Sequence, residues 1–364
     1  MARIWLWLIK GILTIMKKKI YFLLLSLVGT VSICVGCSEQ KSNLSERITT
    51  QPNLLKLDVP SPNWTHAVKV GDELFVGVNG DKTNRASVNE LISINVKTKE
   101  QRVLFRSKHP EAIVQWVQAN KHWVVWEDST SFGDSSVIWG MNRKTGETFQ
   151  IAESSSSFPT VFDPVLNGDN VAWTERGASF GQVKLCHLST RQTKTIGRTV
   201  SQGLYNEFVS LRDDKVVWTD SENGKGYYYI YDIPTGTTSR YEAPDPFPAY
   251  AVYDNGLIYA LHFRDLRYLD DQKFGYFDVK KKEFFVFPIK HGIIHYFDAA
   301  KGKVAFLDEK GQVSIYERHD GKWKTIKERI DPHPLFLYFD QQGHLILKYE
   351  DTEHDRRWLN IIEW

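Results

Sequence analysis

A short apolar segment that returns seven times, each time after a polar turn, constrains the fold of this chain more than any other feature. The seven segments are residues 73–76, 122–126, 170–173, 215–218, 256–259, 303–306 and 344–347. Their last residues lie 50, 47, 45, 41, 47 and 41 residues apart. Short apolar runs bounded by turns are typical of buried strands, and a strand repeat of about 40 to 50 residues is typical of a β-propeller.

Each repeat has room for four strands. In the second repeat, the apolar segment is followed by a strand at 137–142, a turn at 144–146 and a strand at 148–152. Gly146 ends that turn, and glycine readily adopts the left-handed conformation that a tight hairpin requires. A further strand precedes each apolar segment, as at 164–166 in the third repeat. We therefore expect an all-β fold of four-stranded blades.

The last repeat runs out of chain, because residues 357–364 supply only its third strand. Residues 54–59, which precede the first repeat, have the length and alternation to pair there and close the ring, which would remove an exposed sheet edge. We predict seven blades, with six or eight as alternatives. The pattern over residues 54–364 resembles extracytoplasmic TolB-type propeller repeats, although it lacks the Gly-His and Trp-Asp marks of the WD class.

Three of the apolar segments end in tryptophan, at Trp126, Trp173 and Trp218. Aromatic faces can stack on sugars or hold cations. Their recurrence at one position of the repeat favours a structural role, and we expect them to pack between neighbouring blades.

Residues 17–37 have the order of an exported, lipid-anchored precursor. Three lysines at 17–19 precede the apolar stretch 20–31, and Val35-Gly36-Cys37 places a small residue before a thiol. This segment resembles the lipobox of bacterial lipoproteins, with Cys34 where Leu, Val or Ile is usual. The resemblance implies cleavage before Cys37 and attachment of a diacylglyceryl group to its sulfur.

The resemblance divides the chain into a signal peptide (1–36), a lipidated cysteine with a polar tether (37–53) and the propeller (54–364). Met16 directly precedes the lysines and is an alternative start. An uncleaved anchor is the other interpretation, since residues 20–36 are 17 uncharged residues, near the lower limit for spanning a bilayer. Both interpretations place the propeller on the extracytoplasmic face of the cell membrane.

The charge of the chain argues against nucleic acid as a partner. Residues 1–36 carry five of the 46 basic residues and none of the 44 acidic ones, so residues 37–364 have 41 basic and 44 acidic residues and a net charge of −3. A mildly acidic domain lacks the basic surface that nucleic acids require. Cys186 is the one cysteine beyond Cys37, which leaves no pair for a disulfide within the propeller.

Acidic residues accumulate directly after the apolar segments, where propeller topology predicts the mouth of the central channel. They are Glu127, Asp128, Glu175, Asp220, Glu222, Asp308, Glu309, Glu350 and Asp351, and His262 follows the fifth segment. Converging carboxylates could hold a cationic ligand or a hard cation such as Ca²⁺. The alternative is that these are simply turn-forming residues. No spacing typical of a metal site is present, and no cofactor is predicted.

The sequence predicts a binding module rather than an enzyme. Residues 177–181 match the Gly-x-Ser-x-Gly nucleophile elbow, but they lie between two strands, whereas that motif needs a strand-to-helix turn. We expect a non-catalytic module that binds a protein, a peptide or an envelope polymer. The alternative is a lyase or hydrolase acting on such a polymer at the channel mouth. An assembly factor, by analogy with the TolB type, is a third interpretation.

Overall fold

The computed structural model describes residues 53–364 except 60, 62, 82–83, 85–86, 110, 131–134, 201–207, 268–270, 288–291, 329 and 331–332. Those residues form 28 strands and no helix, which confirms the all-β prediction. No helix that could cross a membrane is found among them. The predicted signal peptide, Cys37 and all but the last residue of the tether lie outside the described residues.

Residues 53–363 form one compact unit of seven antiparallel four-stranded sheets. Blade 1 is β2 (Trp64–Val70), β3 (Glu73–Val78), β4 (Glu90–Asn95) and β5 (Gln101–Arg106); blade 2 is β6 (Ala112–Ala119), β7 (Trp123–Thr130), β8 (Ser136–Asn142) and β9 (Thr148–Glu153); blade 3 is β10 (Thr160–Asn167), β11 (Asn170–Arg176), β12 (Gly181–His187) and β13 (Gln192–Thr199); blade 4 is β14 (Ser210–Arg212), β15 (Lys215–Glu222), β16 (Lys225–Asp232) and β17 (Thr237–Glu242).

The remaining three blades follow the same plan. Blade 5 is β18 (Phe247–Asp254), β19 (Leu257–Phe263), β20 (Lys273–Asp278) and β21 (Glu283–Val286); blade 6 is β22 (Ile294–Ala300), β23 (Lys303–Asp308), β24 (Val313–His319) and β25 (Lys322–Glu328); blade 7 is β26 (Phe336–Phe339), β27 (Leu345–Asp351), β28 (Arg356–Glu363) and β1 (Asn53–Asp58). The strand named first for each blade is its innermost strand and lines the central channel of the ring.

The N-terminal strand closes the ring, as predicted. β1 pairs with β28 in antiparallel register from Asn53 opposite Glu363 to Asp58 opposite Trp358. This pairing gives blade 7 its fourth strand, so the structure has seven blades and excludes six or eight. The last strand of the chain thereby gains the partner that an exposed sheet edge would lack.

Large side chains from the second strands fill the space between blades. Trp126, Trp173 and Trp218 are almost fully buried, and each packs against the preceding blade. The predicted structural role of the three tryptophans is therefore confirmed. In blade 5 the alignment of the apolar segments is offset by one residue, because Ala260, and not Tyr259, faces the preceding blade.

Candidate functional site

The inner strands place one side chain from each blade at an equivalent position on the channel. In six blades it lies two residues before the inner-strand residue that pairs with the last-but-one residue of the apolar segment. In blade 5, where the segment is offset by one residue, it lies two residues before Val252, which pairs with Tyr259. The seven residues, called the channel ring below, are His66, Trp116, Asp163, Phe208, Tyr250, Tyr296 and Phe336. Six of them carry an aromatic or imidazole ring, and Asp163 is the exception.

Most neighbours in the channel ring are in contact. The ring centroids of His66 and Trp116 lie 4.1 Å apart in a stacked arrangement, and those of His66 and Phe336 lie 5.0 Å apart. Phe336 also lies 4.4 Å from Tyr296, and Phe208 lies 4.8 Å from Tyr250. These six side chains are partly exposed, and Tyr250 reaches 39%. Because neighbouring blades cover the flanks of each inner strand, this exposed surface faces the channel.

Bulges in the inner strands turn these side chains toward the channel. The register of β6, β10 and β18 shifts at the ring position, where the backbone of Trp116, Asp163 and Tyr250 has φ of 50°, 48° and 54°. A bulge adds one residue and re-aims a side chain. Left-handed backbone is tolerated by aspartate and is strained for bulky residues, which persist there only when the surroundings hold them.

The opposite end of the channel is crossed by polar side chains. Arg212 of blade 4 forms an ion pair with Asp298 of blade 6 at 3.1 Å and donates to the carbonyl of Phe339 in blade 7 at 3.4 Å. The amide of Gln341 donates to the carbonyl of Leu166 in blade 3. These contacts join blades that are not neighbours in the ring. The channel ring therefore forms a recess, with a polar crossing beyond it.

Asp163 belongs to a buried pair of acids at the junction of blades 2 and 3. The Oε2 atom of Glu127 accepts a hydrogen bond from the backbone N–H of Asp163 at 3.2 Å, and its Oε1 accepts one from Gln115 Nε2 at 3.2 Å. Glu127 is 2% exposed and Asp163 is 5% exposed. Burial raises the pKa of Glu127 to about 7, and burial with the nearby Glu127 charge raises that of Asp163 well above its ordinary value.

A buried cation occupies the equivalent place at the junction of blades 7 and 1. Lys348 Nζ donates to the carbonyl of Trp64 at 3.0 Å and lies 4.4 Å from the centre of the Trp64 indole. Burial lowers the pKa of Lys348 to about 8. Burial, with the Lys348 charge as a second cause, lowers the pKa of His66 to about 3, so this imidazole is neutral at pH 7.

Three adjacent members of the channel ring carry buried polar atoms that have no hydrogen-bond partner. They are His66 Nε2, Trp116 Nε1 and Asp163 Oδ1. A buried polar atom without a partner costs about 1 to 3 kcal/mol, which makes such a group a pointer to a missing ligand, ion or water. Their arrangement on blades 1, 2 and 3 places the polar part of the recess at one side of the ring.

The structure does not gather the acids that the sequence placed at the channel mouth. The second strands continue past their apolar segments, so Glu127, Asp128, Glu175, Asp220 and His262 lie inside strands rather than in turns, and Asp308 is the last residue of β23. Side chains alternate between the two faces of a strand and meet neighbouring blades. Most of these groups consequently have partners between blades or within their own blade.

The individual partners show this dispersal. Asp128 accepts from Ser107 Oγ at 3.0 Å, on the face of β7 opposite to Glu127. Glu175 accepts from the indole of Trp173 and forms an ion pair with Lys184 at 3.5 Å. Asp220 is fully buried and accepts from the N–H groups of Val200 and Ser221, at 2.7 and 2.8 Å.

Three further predicted residues, His262, Asp308 and Glu309, also lie apart. His262 is fully buried, with Nε2 2.8 Å from the hydroxyl of Tyr228, and burial lowers its pKa to about 3. Asp308 accepts from the N–H groups of Lys310 and Gln312 in its own turn, and Glu309 is exposed. Glu222, Glu350 and Asp351 have partners within their own blades, which are Tyr229, Arg357 and His354. Of the predicted acids, Glu127 contacts a member of the channel ring, through the backbone of Asp163.

Metal ligation and thiol chemistry have no evident centre in the described ranges. No three His, Cys, Asp or Glu side chains among those residues come together as metal ligands. Cys186 is a free, buried cysteine, and burial raises the pKa of its thiol. Residues 177–181 connect β11 and β12, with Gly177 N–H donating to the Phe180 carbonyl at 2.9 Å, so the motif is a hairpin turn here.

The channel ring itself was missed by the sequence argument. An alignment of the seven repeats at the channel-ring position would have shown aromatic or imidazole side chains in six blades and an aspartate in the third. That alignment depends on bulges in the inner strands, which shift the register without any mark in the sequence.

Comparison with known proteins shows the fold and no closer relationship. No family model matches the chain, and no curated protein matches it. The β-propeller domain of the Trilobed protease from Pyrococcus furiosus is 14% identical, with a TM-score of 0.57 over 86% of this chain and 94% of that one. A chain of the Mitotic Checkpoint Complex is 8% identical, with a TM-score of 0.54 over 93% and 100%.

TolB from Acinetobacter baumannii also matches, at 13% identity and a TM-score of 0.42, over 77% of this chain and 61% of that one. Identities this low show a shared fold alone. The chain is a seven-bladed β-propeller protein, and its resemblance to the TolB type beyond that fold stays a prediction.

Proposed function

We propose that this protein is a lipid-anchored, extracytoplasmic binding module that takes part of a protein, peptide or envelope polymer into the channel ring. The observation that carries the proposal is the ring itself, where six partly exposed aromatic or imidazole side chains meet in a recess. Ligand sites are typically concave, lined by aromatic side chains and supplied with a few polar groups. His66, Trp116 and Asp163 supply such groups.

The geometry favours a ligand that enters from one end. The Arg212–Asp298 ion pair and the Gln341 amide cross the channel beyond the ring, so a polymer threaded through the whole channel would have to displace them. A chain end or a single protruding side group needs no such displacement. We therefore expect recognition of an end group or side group.

Binding is tested with the full chain in a non-ionic detergent, titrated calorimetrically with peptides and envelope-polymer fragments. Tyr250→Ala should weaken binding about tenfold, because aromatic anchors in pockets commonly contribute 1 to 2 kcal/mol or more. Trp364→Ala is the matched control, since Trp364 is 38% exposed, close to the 39% of Tyr250, and lies at the chain terminus. Equal affinities of Tyr250→Ala and the wild type for every ligand that binds would contradict the proposal.

The lipid anchor is tested separately by metabolic labelling with a clickable fatty acid. The proposal expects label on the wild-type chain and none on Cys37→Ala, with the variant accumulating as uncleaved precursor. Absence of label from the wild type would favour the uncleaved anchor, and label that persists on Cys37→Ala would place the lipid on another residue.

One observation favours the enzymatic alternative: burial raises the pKa of Glu127 to about 7. A carboxyl group that titrates near the working pH is suited to general acid–base catalysis. Under this alternative, the full chain should cleave an envelope or extracellular polymer, and Glu127→Gln should abolish the cleavage. Binding without any product from the same polymer would support the module.

A further inference from the structure

We propose that the group taken into the channel ring is an organic ammonium ion, held by the carboxyl group of Asp163 and the surrounding aromatic faces. This inference rests on the proposed binding function and specifies the chemistry of its ligand. The negative face of an aromatic ring attracts cations, and a carboxylate adds the full opposite charge. The channel ring combines both, since Asp163 interrupts an otherwise aromatic or imidazole series.

The acid pair differs from several other acids of this protein that have a basic partner. Asp298 pairs with Arg212, Asp245 with Lys273 at 3.1 Å, and Glu90 with Arg106 at 2.8 Å. Within the part of the chain that the structure describes, neither Glu127 nor Asp163 forms an ion pair. Buried charges in proteins are normally paired. A cation from outside the chain would complete this site.

An organic cation fits better than a metal ion. Ca²⁺ takes six to eight oxygen ligands, whereas the channel ring offers one carboxyl group among rings. Both oxygens of Glu127 already accept hydrogen bonds, from Gln115 and from the backbone of Asp163. One charge surrounded by apolar faces matches an ammonium group that carries hydrocarbon.

Among the ring pairs in contact, the widest separation lies across Asp163. The centroids of Trp116 and Phe208, on the two flanking blades, lie 6.3 Å apart, compared with 4.1 to 5.0 Å for the other ring pairs in contact. A small rotation of Phe208 would admit a group between the two rings. Asp163 Oδ1, which has no partner, would then receive the ammonium group.

Binding should release protons. Burial raises the pKa of Glu127 to about 7 and that of Asp163 well above its ordinary value. Among the described residues, the groups that face the pair are Gln115, Ser129 and Tyr250, and burial raises the pKa of Tyr250 to about 12. A cation beside a carboxyl group favours its ionised form. Calorimetry in two pH 7 buffers of different ionisation enthalpy measures the number released.

The decisive comparison uses cations and neutral molecules of the same shape on the full chain in non-ionic detergent. Choline is compared with 3,3-dimethylbutanol, Nα-acetyl-lysine amide with its Nε-acetylated form, and glucosamine with N-acetylglucosamine. The inference expects at least one cation to bind about tenfold tighter than its neutral counterpart. The preferred pair distinguishes a quaternary head group, a peptide amine and an amino sugar as the source.

Asp163→Asn should remove the preference for the cation, because asparagine keeps the shape and tolerates the left-handed backbone. Asp128→Asn is the matched control, since Asp128 is also a buried acid but lies on the face of β7 opposite to Glu127. A preference that survives Asp163→Asn, or equal binding of each cation and its neutral counterpart, overturns the inference.

The two proposals fail differently. Ring-dependent binding of neutral ligands, weakened by Tyr250→Ala, would leave the binding function standing and overturn the ammonium inference. Binding that Tyr250→Ala leaves unchanged, or no binding of any probe, would overturn both.

Discussion

The junctions between blades 2 and 3 and between blades 7 and 1 use the same position of the fold with opposite charges. Glu127 and Lys348 each directly follow the last residue of their apolar segment, and both reach the backbone of the next inner strand. Lys348 finds a carbonyl and the face of Trp64. Glu127 finds an N–H group and, beside it, the second acid Asp163.

This difference separates a structural site from a candidate functional one. At the junction of blades 7 and 1, the protein itself supplies partners for the buried charge. At the junction of blades 2 and 3, two buried acids raise each other's cost of ionisation, and one oxygen has no partner. Sites that are incomplete in this way and carry perturbed pKa values are candidates for function.

Reversing the charge at Lys348 should have the largest effect on the stability of the protein. Lys348→Glu would place an uncompensated carboxylate against the Trp64 carbonyl and indole face, and we expect a loss of about 3 to 5 kcal/mol in the free energy of unfolding. Urea denaturation at pH 7 measures it. Lys348→Met, which removes the charge but keeps the length, should change stability by less than about 1.5 kcal/mol. Equal losses for both variants would show that shape, and not charge, matters there.

At the acid pair, the expected effect is a dependence of stability on pH. Glu127 has a raised pKa, so the folded state keeps a proton that the unfolded chain has lost above its ordinary pKa of 4.5. A folded state that binds more protons loses stability as the pH rises. Relative to Glu127→Gln, the wild type should lose about 3 kcal/mol between pH 4.5 and 7.

Urea denaturation at half-unit pH steps measures this difference. The exposed Glu309→Gln serves as the control and should follow the wild type at every pH. If the curves of the wild type and Glu127→Gln are parallel, the carboxyl group of Glu127 is solvated in the folded protein.

The smallest effect is expected at Asp163 itself. Asp163→Asn should change stability by no more than about 1 kcal/mol at pH 7, since burial raises the pKa of this carboxyl group, which disfavours its charged form, and asparagine accepts the backbone φ of 48°. Asp163→Ala should be less stable than Asp163→Asn by about 1 to 2 kcal/mol, because alanine is strained in that conformation. Equal melting temperatures for the two variants would show that backbone strain at residue 163 does not affect stability.

The fold could be predicted from the sequence because its signals are local. The apolar segment at residues 73–76 and its six counterparts mark one strand in each blade. Apart from β1, the strands of each blade are consecutive in the chain. Residues 54–59 were predicted to close the ring, and the observed strand Asn53–Asp58 differs by one residue at each end. The misaligned fifth segment shows the limit, because Tyr259 resembles the tryptophans in size and only packing reveals that Ala260 takes their place.

The candidate site was predicted only in part. Glu127 was identified as an acid near the channel because it follows an apolar segment. Asp220 and His262 were identified on the same ground, but they are buried between blades. Asp163 was not identified, because its neighbours in the channel ring, Trp116 and Phe208, are about one repeat away on each side in the chain. Only the inner-strand bulges bring the three side chains together.

The sequence by itself determined a seven-bladed ring closed by its N-terminal strand, because strand periodicity and turn residues act over a few residues at a time. The tertiary structure alone decided which charges acquired partners. A buried charge is stabilised or left incomplete by groups within a few ångströms, and across blades those groups come from distant parts of the chain. For that reason Lys348 has a carbonyl and an indole face as partners, while neither Glu127 nor Asp163 has an ion-pair partner among the described residues.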